Sequence, residues 1–235
     1  MSALGPEGAA GWARRQRNRI CPSILSADFS RLGDEIACVT RAGADFLHVD
    51  VMDGQFVPNL TFGPILVQAM RRLTPIPLDV HLMIVDPLRF LDEFAEAGAD
   101  HLIVHVEAVE DPVLASRRIR ARGLRAGLSI KPATPLPRLL GALSGCDIAL
   151  VMTVEPGRGG QAFLDGSEER IATVRAAIDD EKLDCLLGVD GGIDPRTAPR
   201  AARAGADTFI AGHSIFRMPD PAAALQTLRR SVEPG

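Results

Sequence analysis

The chain has 235 residues, 46% of them hydrophobic, and a formal net charge of -4, which suits one large domain or two small ones and gives no electrostatic reason to expect nucleic acid as a partner. Its hydrophobic residues form no run near the roughly 18 residues that a membrane span needs, so we expect no membrane partner. The four cysteines include no Cys-x-x-Cys pair, which favours free thiols in a reducing compartment and a cytoplasmic protein.

Residues 1–18 are rich in glycine and lead into an arginine-rich run. They lack the apolar core of a signal peptide, so we expect a flexible N-terminal extension. A single domain should then cover residues 19–235.

Three copies of Ala-Gly-Ala-Asp, at 42–45, 97–100 and 204–207, recur along the chain. In each copy the glycine can end a helix in the left-handed conformation, and an apolar run follows the aspartate. The copies are separated by roughly two and four lengths of about 27 residues, a reasonable size for one strand and one helix. Such a repeat indicates a solenoid or a closed α/β array.

Eight apolar stretches with strand character alternate with eight helical stretches. The predicted strands are 19–25, 46–52, 78–83, 101–107, 125–130, 147–153, 185–190 and 208–212. The predicted helices lie around 30–42, 64–73, 87–97, 112–122, 136–143, 167–180, 195–204 and 220–231. Several of these helices begin at Asp-Pro, a common helix start signal.

Eight alternating units favour a parallel sheet with helices outside it, and most simply a single-domain (β/α)₈ TIM barrel of the α/β class. An open doubly wound sheet is the alternative, but no Gly-x-Gly-x-x-Gly follows the first strand. In a barrel the chemistry lies at the C-terminal ends of the strands, so polar residues should collect there.

Polar side chains do occur at these ends. Period-two alternation turns His48 and Asp50 inward on the second strand and His81 inward on the third, and Asp190 ends the seventh. Two imidazoles and two carboxylates suit Zn²⁺, Fe²⁺, Mn²⁺ or Co²⁺. Because unpaired buried carboxylates are costly, several in one pocket imply a cation.

His105 and Glu107, on the predicted fourth strand, are rival ligands. We interpret them as polar groups behind the metal ligands. Asp79 could orient His81 or bond locally. Any one of these polar residues alone could instead be a satisfied interior group.

Asp50 and Asp190, on opposite sides of a metal, suit proton transfer. A metal that polarises a carbonyl makes the neighbouring C–H acidic, so one carboxylate can remove that proton. The other carboxylate can return a proton from the opposite face, and the two would titrate as a unit.

Glycine clusters after the last three strands predict a phosphate site, because Gly-rich turns near helix starts present backbone N–H groups. The clusters are Gly157, Gly159 and Gly160 around Arg158, Gly191 with Gly192, and Gly212 before His213. Residues 155–163 are also long enough to form a lid.

Five segments of the sequence resemble the ribulose-phosphate 3-epimerase family. They are Pro22–Phe29, His48–Asn59, Leu78–Ile84, Val151–Gly157 and Val189–Ile193. The similarity runs from about Ile20 to Phe216, so it covers nearly the whole chain.

The resemblance implies a (β/α)₈ barrel that interconverts D-ribulose 5-phosphate and D-xylulose 5-phosphate with one divalent metal ion per subunit. It implies that His48, Asp50, His81 and Asp190 are the metal ligands and that Asp50 and Asp190 are the acid/base pair at C3 of the substrate. It also implies substrate contacts for Ser23, His81, a cap of methionines and the phosphate-side residues. The methionines are Met52, Met83 and Met152, and the phosphate-side residues are Gly157, Arg158, Gly159, Gly160, Gly191, Gly192, Gly212 and His213. We further expect a homo-oligomer.

The sequence departs from the family pattern at two positions. Arg158 stands where the family usually has Phe, and we expect its side chain to point to solvent. His213 stands where the family usually has Ser, which removes a hydroxyl contact unless Ser214 replaces it.

Four other functions fit the sequence less well than the epimerase. A metal-free sugar-phosphate decarboxylase would want Asp-x-Lys on the second strand, and none is present. A Schiff-base aldolase would need a strand-end lysine, for which Lys131 is the one candidate. A metal or phosphate sensor would not need two opposed carboxylates, and an epimerase of a related ketose phosphate, such as D-allulose 6-phosphate, is the closest alternative.

Overall fold

A computed structural model describes residues 18–233. Its strands are β1 (Arg19–Pro22), β2 (Leu47–Met52), β3 (Leu78–Met83), β4 (His101–His105), β5 (Arg125–Ile130), β6 (Ile148–Met152), β7 (Leu186–Asp190) and β8 (Thr208–Ala211). Its α-helices are α1 (Leu32–Arg41), α2 (Pro64–Leu73), α3 (Leu91–Ala97), α4 (Pro112–Arg120), α5 (Pro137–Leu140), α6 (Ser167–Asp180), α7 (Ala198–Arg203), α8 (His213–Phe216) and α9 (Pro221–Val232). Short 3₁₀ turns lie at Ile24–Ser26, Phe29–Arg31, Pro87–Phe90, Val106–Ala108 and Leu143–Gly145.

All eight strands are parallel and follow the order β1-β8-β7-β6-β5-β4-β3-β2. Ser23, just after β1, forms a parallel bridge with His48 on β2, which brings the two edges of the sheet together. The predicted (β/α)₈ barrel is therefore confirmed, and the open sheet is excluded. The barrel seam closes next to the predicted site.

Alternation along the strands separates two apolar layers. Residues such as Val49, Val80 and Leu128 pack against the helices in the large outer core. Inside the barrel, Ile103, Leu150 and other apolar side chains form a second, smaller cluster. Polar side chains are buried on β2, β3 and β4 as well: His48, Asp50, Asp79, His81, His101 and His105. The barrel interior therefore combines polar and apolar side chains.

Four aspartates at the N-terminal end of the barrel connect strands in pairs. Asp45, just before β2, accepts hydrogen bonds from the Ile20 N–H of β1 at 2.9 Å and from the Arg229 guanidinium of α9 at 2.7 Å. The pattern recurs at Asp100 with Leu78 N–H and Arg71, at Asp147 with Ala126 N–H and Arg120, and at Asp207 with Leu187 N–H and Arg175. The repeat seen in the sequence thus marks a structural unit of two strands. We call these four residues the N-terminal aspartates.

Several predicted boundaries shift. β1 ends at Pro22 because Ser23 Oγ accepts the Leu25 N–H at 3.4 Å and starts a 3₁₀ turn. β4 ends at His105, so Glu107 lies in a 3₁₀ turn and not on the strand. The predicted extension over residues 1–18 lies outside the described residues except for Asn18, whose side-chain amide donates to Val232 O. No helix in residues 18–233 has the length and apolar character needed to span a membrane.

Candidate active site

The four predicted metal ligands meet inside the barrel at the C-terminal ends of their strands. His48 and Asp50 lie on β2, His81 lies on β3, and Asp190 ends β7. The register of β2 and β3 places Asp50 opposite His81. One ligand atom from each of the four residues lies within 4.8 Å of all the others.

The spacing of these atoms suits a small cation. His48 Nε2 lies 3.3 Å from Asp50 Oδ1 and 3.9 Å from Asp190 Oδ2. His81 Nδ1 lies 3.4 Å from Asp50 Oδ1 and 3.8 Å from Asp190 Oδ2. Bonds of about 2.0–2.2 Å to a tetrahedral ion separate ligand atoms by roughly 3.3–3.6 Å. The four groups are therefore close to the spacing that a divalent ion imposes.

Two ring nitrogens directed at this point lack partners. His48 Nε2 and His81 Nδ1 are buried and accept or donate no hydrogen bond among the described residues. A buried polar atom without a partner is costly. A cation would bind both lone pairs, so the donor set and the orphaned atoms fit a metal ion.

Asp79 orients His48 and not His81, because the strand register places Asp79 opposite His48. His48 Nδ1 lies 2.7 Å from Asp79 Oδ2, and His101 Nδ1 lies 3.2 Å from Asp79 Oδ1. Burial alone would raise the pKa of Asp79, but the hydrogen bonds from His101 and His48 hold it well below its usual range. The ionised carboxylate accepts the Nδ1 proton of His48, which leaves Nε2 free for a metal.

His105 and Glu107 lie behind His81. His105 Nε2 is 2.9 Å from His81 Nε2, and His105 Nδ1 is 3.2 Å from Glu107 Oε2. Burial lowers the pKa of His105 to about 4. Burial alone would raise the pKa of Glu107, but hydrogen bonds from His105, Thr134 and the Lys131 N–H lower it to about 2. A neutral imidazole thus separates an ionised carboxylate from His81.

The two carboxylates of the site have opposite tendencies in the metal-free protein. Burial alone would raise the pKa of Asp50, but attraction to His48 and His81 holds it well below its usual range. Burial, followed by repulsion from Asp50, raises the pKa of Asp190 to about 7. Environments that push two carboxyl pKa values apart assign one group as base and the other as acid.

One cavity at the C-terminal end of the barrel opens onto these carboxylates. Of the predicted substrate contacts, His81 alone does not line it, because its side chain is fully buried. The others all line it: Ser23, Met52, Met83, Met152, Gly157, Arg158, Gly159, Gly160, Gly191, Gly192, Gly212 and His213. Met52, Met83 and Val57 form an apolar cluster beside the carboxylates.

Comparison with known proteins identifies the family. The model of the ribulose-phosphate 3 epimerase family matches residues 19–216. The chain belongs to this family.

Curated relatives agree with the assignment. Ribulose-phosphate 3-epimerase from Mycobacterium tuberculosis strain H37Rv is 50% identical over 213 residues, which cover 91% of this chain and 92% of the relative. The Bacillus subtilis enzyme of the same name is 44% identical and is covered over 99% of its length. The chloroplastic enzyme of Arabidopsis thaliana is 41% identical, with 77% of its length covered.

Solved structures with low sequence identity show the fold alone. A 3-hexulose-6-phosphate synthase has a TM-score of 0.68 and 18% identity, and the match covers 92% of this chain and all of that one. KGPDC from Streptococcus mutans has a TM-score of 0.70 and 15% identity, covering 92% and 98% of the two chains.

Within this epimerase-family chain, Ser23 contacts a catalytic candidate directly. Its hydroxyl donates to Asp50 Oδ2 at 2.5 Å, while Asp50 Oδ1 faces the two histidines. Ser23 can hold Asp50 in place because the β1–β2 bridge brings it next to His48. The predicted contact between Ser23 and the substrate stays a prediction.

The phosphate side departs from the family pattern at two residues. Arg158 is exposed at the rim of the cavity. His213 Nδ1 lies 2.9 Å from Ser26 Oγ, and its ring packs so closely on Gly160 that a Cβ there would lie 2.8 Å from Nε2. Ser214 also lines the cavity, but its hydroxyl already donates to Ile193 O at 2.6 Å.

Gly191 and Gly192 both adopt positive φ, at 120° and 64°. A Cβ on Gly192 would lie 2.3 Å from the Phe163 backbone nitrogen, so only glycine fits there. The two glycines bring the chain after Asp190 close to the loop that we expected to be a lid.

Two polar residues near the cavity were missed in the sequence. Ser26 lines the cavity and contacts His213, and Asn59 Nδ2 donates to Gly157 O at 3.1 Å, joining the β2–α2 loop to the glycine loop after β6. Both lie inside the segments that resemble the family, which is the signal that could have singled them out. Lys131 supports no Schiff base: its ammonium lies 3.7 Å from the centre of the Phe56 ring and outside the cavity lining.

Proposed function

We propose that the protein is a ribulose-phosphate 3-epimerase that interconverts D-ribulose 5-phosphate and D-xylulose 5-phosphate by proton transfer at C3. The acid/base groups are Asp50 and Asp190. One divalent ion per subunit, Zn²⁺, Fe²⁺, Mn²⁺ or Co²⁺, is held by these two residues together with His48 and His81.

The two carboxylates that face one pocket carry this proposal. Epimerisation removes a proton from one face of C3 and delivers one to the other, so it needs a base and an acid in the same pocket. Asp50 and Asp190 both line the cavity and both lie within 3.9 Å of the same two imidazoles, so one can accept the proton while the other donates one. A bound divalent ion supplies Lewis-acid polarisation of the substrate carbonyl.

The two carboxylates transfer the protons, and the side chains around them support the reaction. Asp50 takes the C3 proton of one epimer, the C–H electron pair moves toward the C2 carbonyl to give an enediolate, and Asp190 protonates C3 from the opposite face. The reverse reaction exchanges the two roles. Ser23 keeps one oxygen of Asp50 in position, and Met52, Met83 and Met152 present an apolar surface that keeps water from the enediolate.

The glycine-lined end of the same cavity suits the substrate phosphate. Gly-rich turns there follow β6, β7 and β8, and such turns offer backbone N–H groups to an anion. A phosphorylated ketose would then span the cavity, with its phosphate at the glycines and C3 between the aspartates.

A homo-oligomer and a cytoplasmic location stay predictions. Leu60, in the β2–α2 loop, is 76% exposed, and Ile65, at the start of α2, is 86% exposed. A second copy of the chain could cover both side chains. Light scattering of the purified protein measures the number of copies.

Hydrogen exchange at C3 tests the proposed function. The protein is stripped of metal, reloaded with one ion at a time, and incubated in D₂O with ribulose 5-phosphate or with D-allulose 6-phosphate. We expect deuterium at C3 and formation of xylulose 5-phosphate with the pentulose, both lost on chelation and restored by metal. Exchange that survives chelation would contradict the metal role, and faster turnover of the six-carbon sugar would reassign the substrate.

A further inference from the structure

Three buried side chains form a hydrogen-bonded line that ends at the metal site. Glu107 Oε2 is 3.2 Å from His105 Nδ1, and His105 Nε2 is 2.9 Å from His81 Nε2. Both imidazoles are fully buried, and their rings stack with centroids 4.9 Å apart. Neither Glu107 nor His105 belongs to the group of residues that can hold the ion.

Proton positions along this line are determined by its two ends. His81 presents Nδ1 to the ion position, so Nδ1 must carry a lone pair and the ring proton must lie on Nε2. His81 Nε2 then donates to His105 Nε2, which must accept, so the proton of His105 lies on Nδ1. That proton needs an acceptor, and Glu107 Oε2 supplies it.

Glu107 is itself fixed as an acceptor on its other oxygen. The Lys131 backbone N–H donates to Glu107 Oε1 at 2.9 Å. Arg170 holds the chain that follows Lys131 through hydrogen bonds to Lys131 O at 3.1 Å and Thr134 O at 2.9 Å. The carboxylate therefore cannot turn without breaking a contact to a well-held backbone.

We propose that Glu107 and His105 are positioning residues that fix the tautomer of His81 with Nδ1 free to bind the divalent ion. The inference rests on the proposed function only in assuming a divalent ion between the four ligands. Asp79 does the same for His48 by direct contact, whereas Glu107 acts on His81 through a second imidazole.

A single substitution should reverse the direction of the hydrogen bonds between residue 107, His105 and His81. In Glu107→Gln the amide oxygen takes the place of Oε1, because the Lys131 N–H still needs an acceptor. The amide NH₂ then faces His105 Nδ1, which must become an acceptor, so the His105 proton moves to Nε2. His81 Nε2 must in turn accept, and the His81 proton moves to Nδ1, where it blocks the metal.

Two measurements on the full-length protein test this proposal. The first is the affinity for Co²⁺ alone, followed by its visible absorption. The second is the ¹⁵N spectrum of the five histidines of the metal-free protein, which reports the protonated nitrogen of each ring. We expect Glu107→Gln to weaken Co²⁺ binding by about 10- to 100-fold and to move the His81 proton from Nε2 to Nδ1. Glu93→Gln, at an exposed position, is the matched control and should change neither.

The order of effects separates positioning from a general loss of structure. His105→Leu removes the donor that forces the wrong tautomer, so it should weaken Co²⁺ binding less than Glu107→Gln, although residue 105 is nearer to the ion. The double variant should match His105→Leu, because Glu107 acts only through His105.

Three results would overturn the proposal. The first is that Glu107→Gln binds Co²⁺ as tightly as the wild type, and the second is that it binds Co²⁺ more weakly while the His81 proton stays on Nε2. The third is a spectrum of the wild-type protein with the protons of His81 and His105 on the opposite nitrogens, a result that does not depend on the folding of any variant. Loss of the proposed sugar reaction is distinguishable, because Co²⁺ affinity and tautomers are measured without substrate.

Discussion

The two ends of the barrel carry aspartates in opposite settings. At the N-terminal end, each N-terminal aspartate contacts an arginine and a backbone N–H of the preceding strand. At the C-terminal end, Asp50 and Asp190 face each other and two imidazoles, and no arginine of residues 18–233 pairs with either.

This contrast separates stability from chemistry. A carboxylate that is already paired and hydrogen-bonded gains little from any ligand, whereas two carboxylates held together without cations favour a metal and a proton. Aspartate therefore stabilises the fold at the N-terminal end of the barrel and is available for metal binding and proton transfer at the C-terminal end.

The largest effect should follow substitution at the C-terminal end. Asp50→Asn and Asp190→Asn each remove a proton carrier, so we expect epimerisation to fall by at least about 10²- to 10⁴-fold. Circular dichroism should show an unchanged fold, and Asp92→Asn, at an exposed surface pair with Arg122, is the control. Full epimerase activity in either variant would contradict the account of the two carboxylates.

Substitution at the N-terminal end should have the converse effect. Asp100→Ala leaves Arg71 and the Leu78 N–H without their acceptor, so the free energy of unfolding should fall by about 1–3 kcal/mol. Denaturant unfolding measures this change, and kcat/KM should stay within about twofold of wild type. If Asp100→Ala loses activity at temperatures where it is folded, the two ends are not separate in function.

Metal affinity should depend on pH because of Asp190. Burial raises its pKa to about 7 in the metal-free protein, and a metal binds the ionised carboxylate. The proton must therefore leave on binding, so affinity should fall below pH 7 and approach a loss of about tenfold for each pH unit. Titrations with Co²⁺ between pH 5.5 and 8 measure the slope, and Asp190→Asn should reduce it by one proton. An equal slope in that variant would assign the dependence to other groups.

The smallest effect should come from the phosphate side. His213→Ala removes an exposed imidazole that contacts Ser26 and lines the cavity, so we expect KM for the pentulose phosphate to rise by about 3- to 10-fold, near 1 kcal/mol. The kcat should stay unchanged, because His213 does not contact either aspartate. Steady-state kinetics separate the two constants, and a fall in kcat with constant KM would be the contrary result.

Sequence alone predicted the barrel and the four side chains that meet inside it for a simple physical reason. Alternation along a strand determines which side chains face inward, so His48, Asp50 and His81 could be placed from local pattern. The repeat found Asp45, Asp100 and Asp207 but missed Asp147, which follows Gly-Cys and not Gly-Ala. Gly145 two residues before Asp147 was the available signal.

The partners of these residues could not be predicted in the same way. The contacts of His48 with Asp79 and of His81 with His105 depend on the register between strands, which local alternation does not specify. The role of Ser23 depends on the closure of the barrel, where β1 meets β2. Alternation predicts a strand at Glu107, whereas the structure ends β4 at His105 and carries Glu107 in a 3₁₀ turn.

The central claim is that Asp50 and Asp190 serve opposite faces of C3. The most direct measurement is C3–H exchange in D₂O, at saturating metal, for Asp50→Asn and Asp190→Asn with each of the two pentulose phosphates. Each variant should exchange the C3 hydrogen of one epimer only, the two variants should choose different epimers, and neither should convert one epimer into the other. Exchange of the same epimer by both variants would contradict the assignment of the two carboxylates to opposite faces.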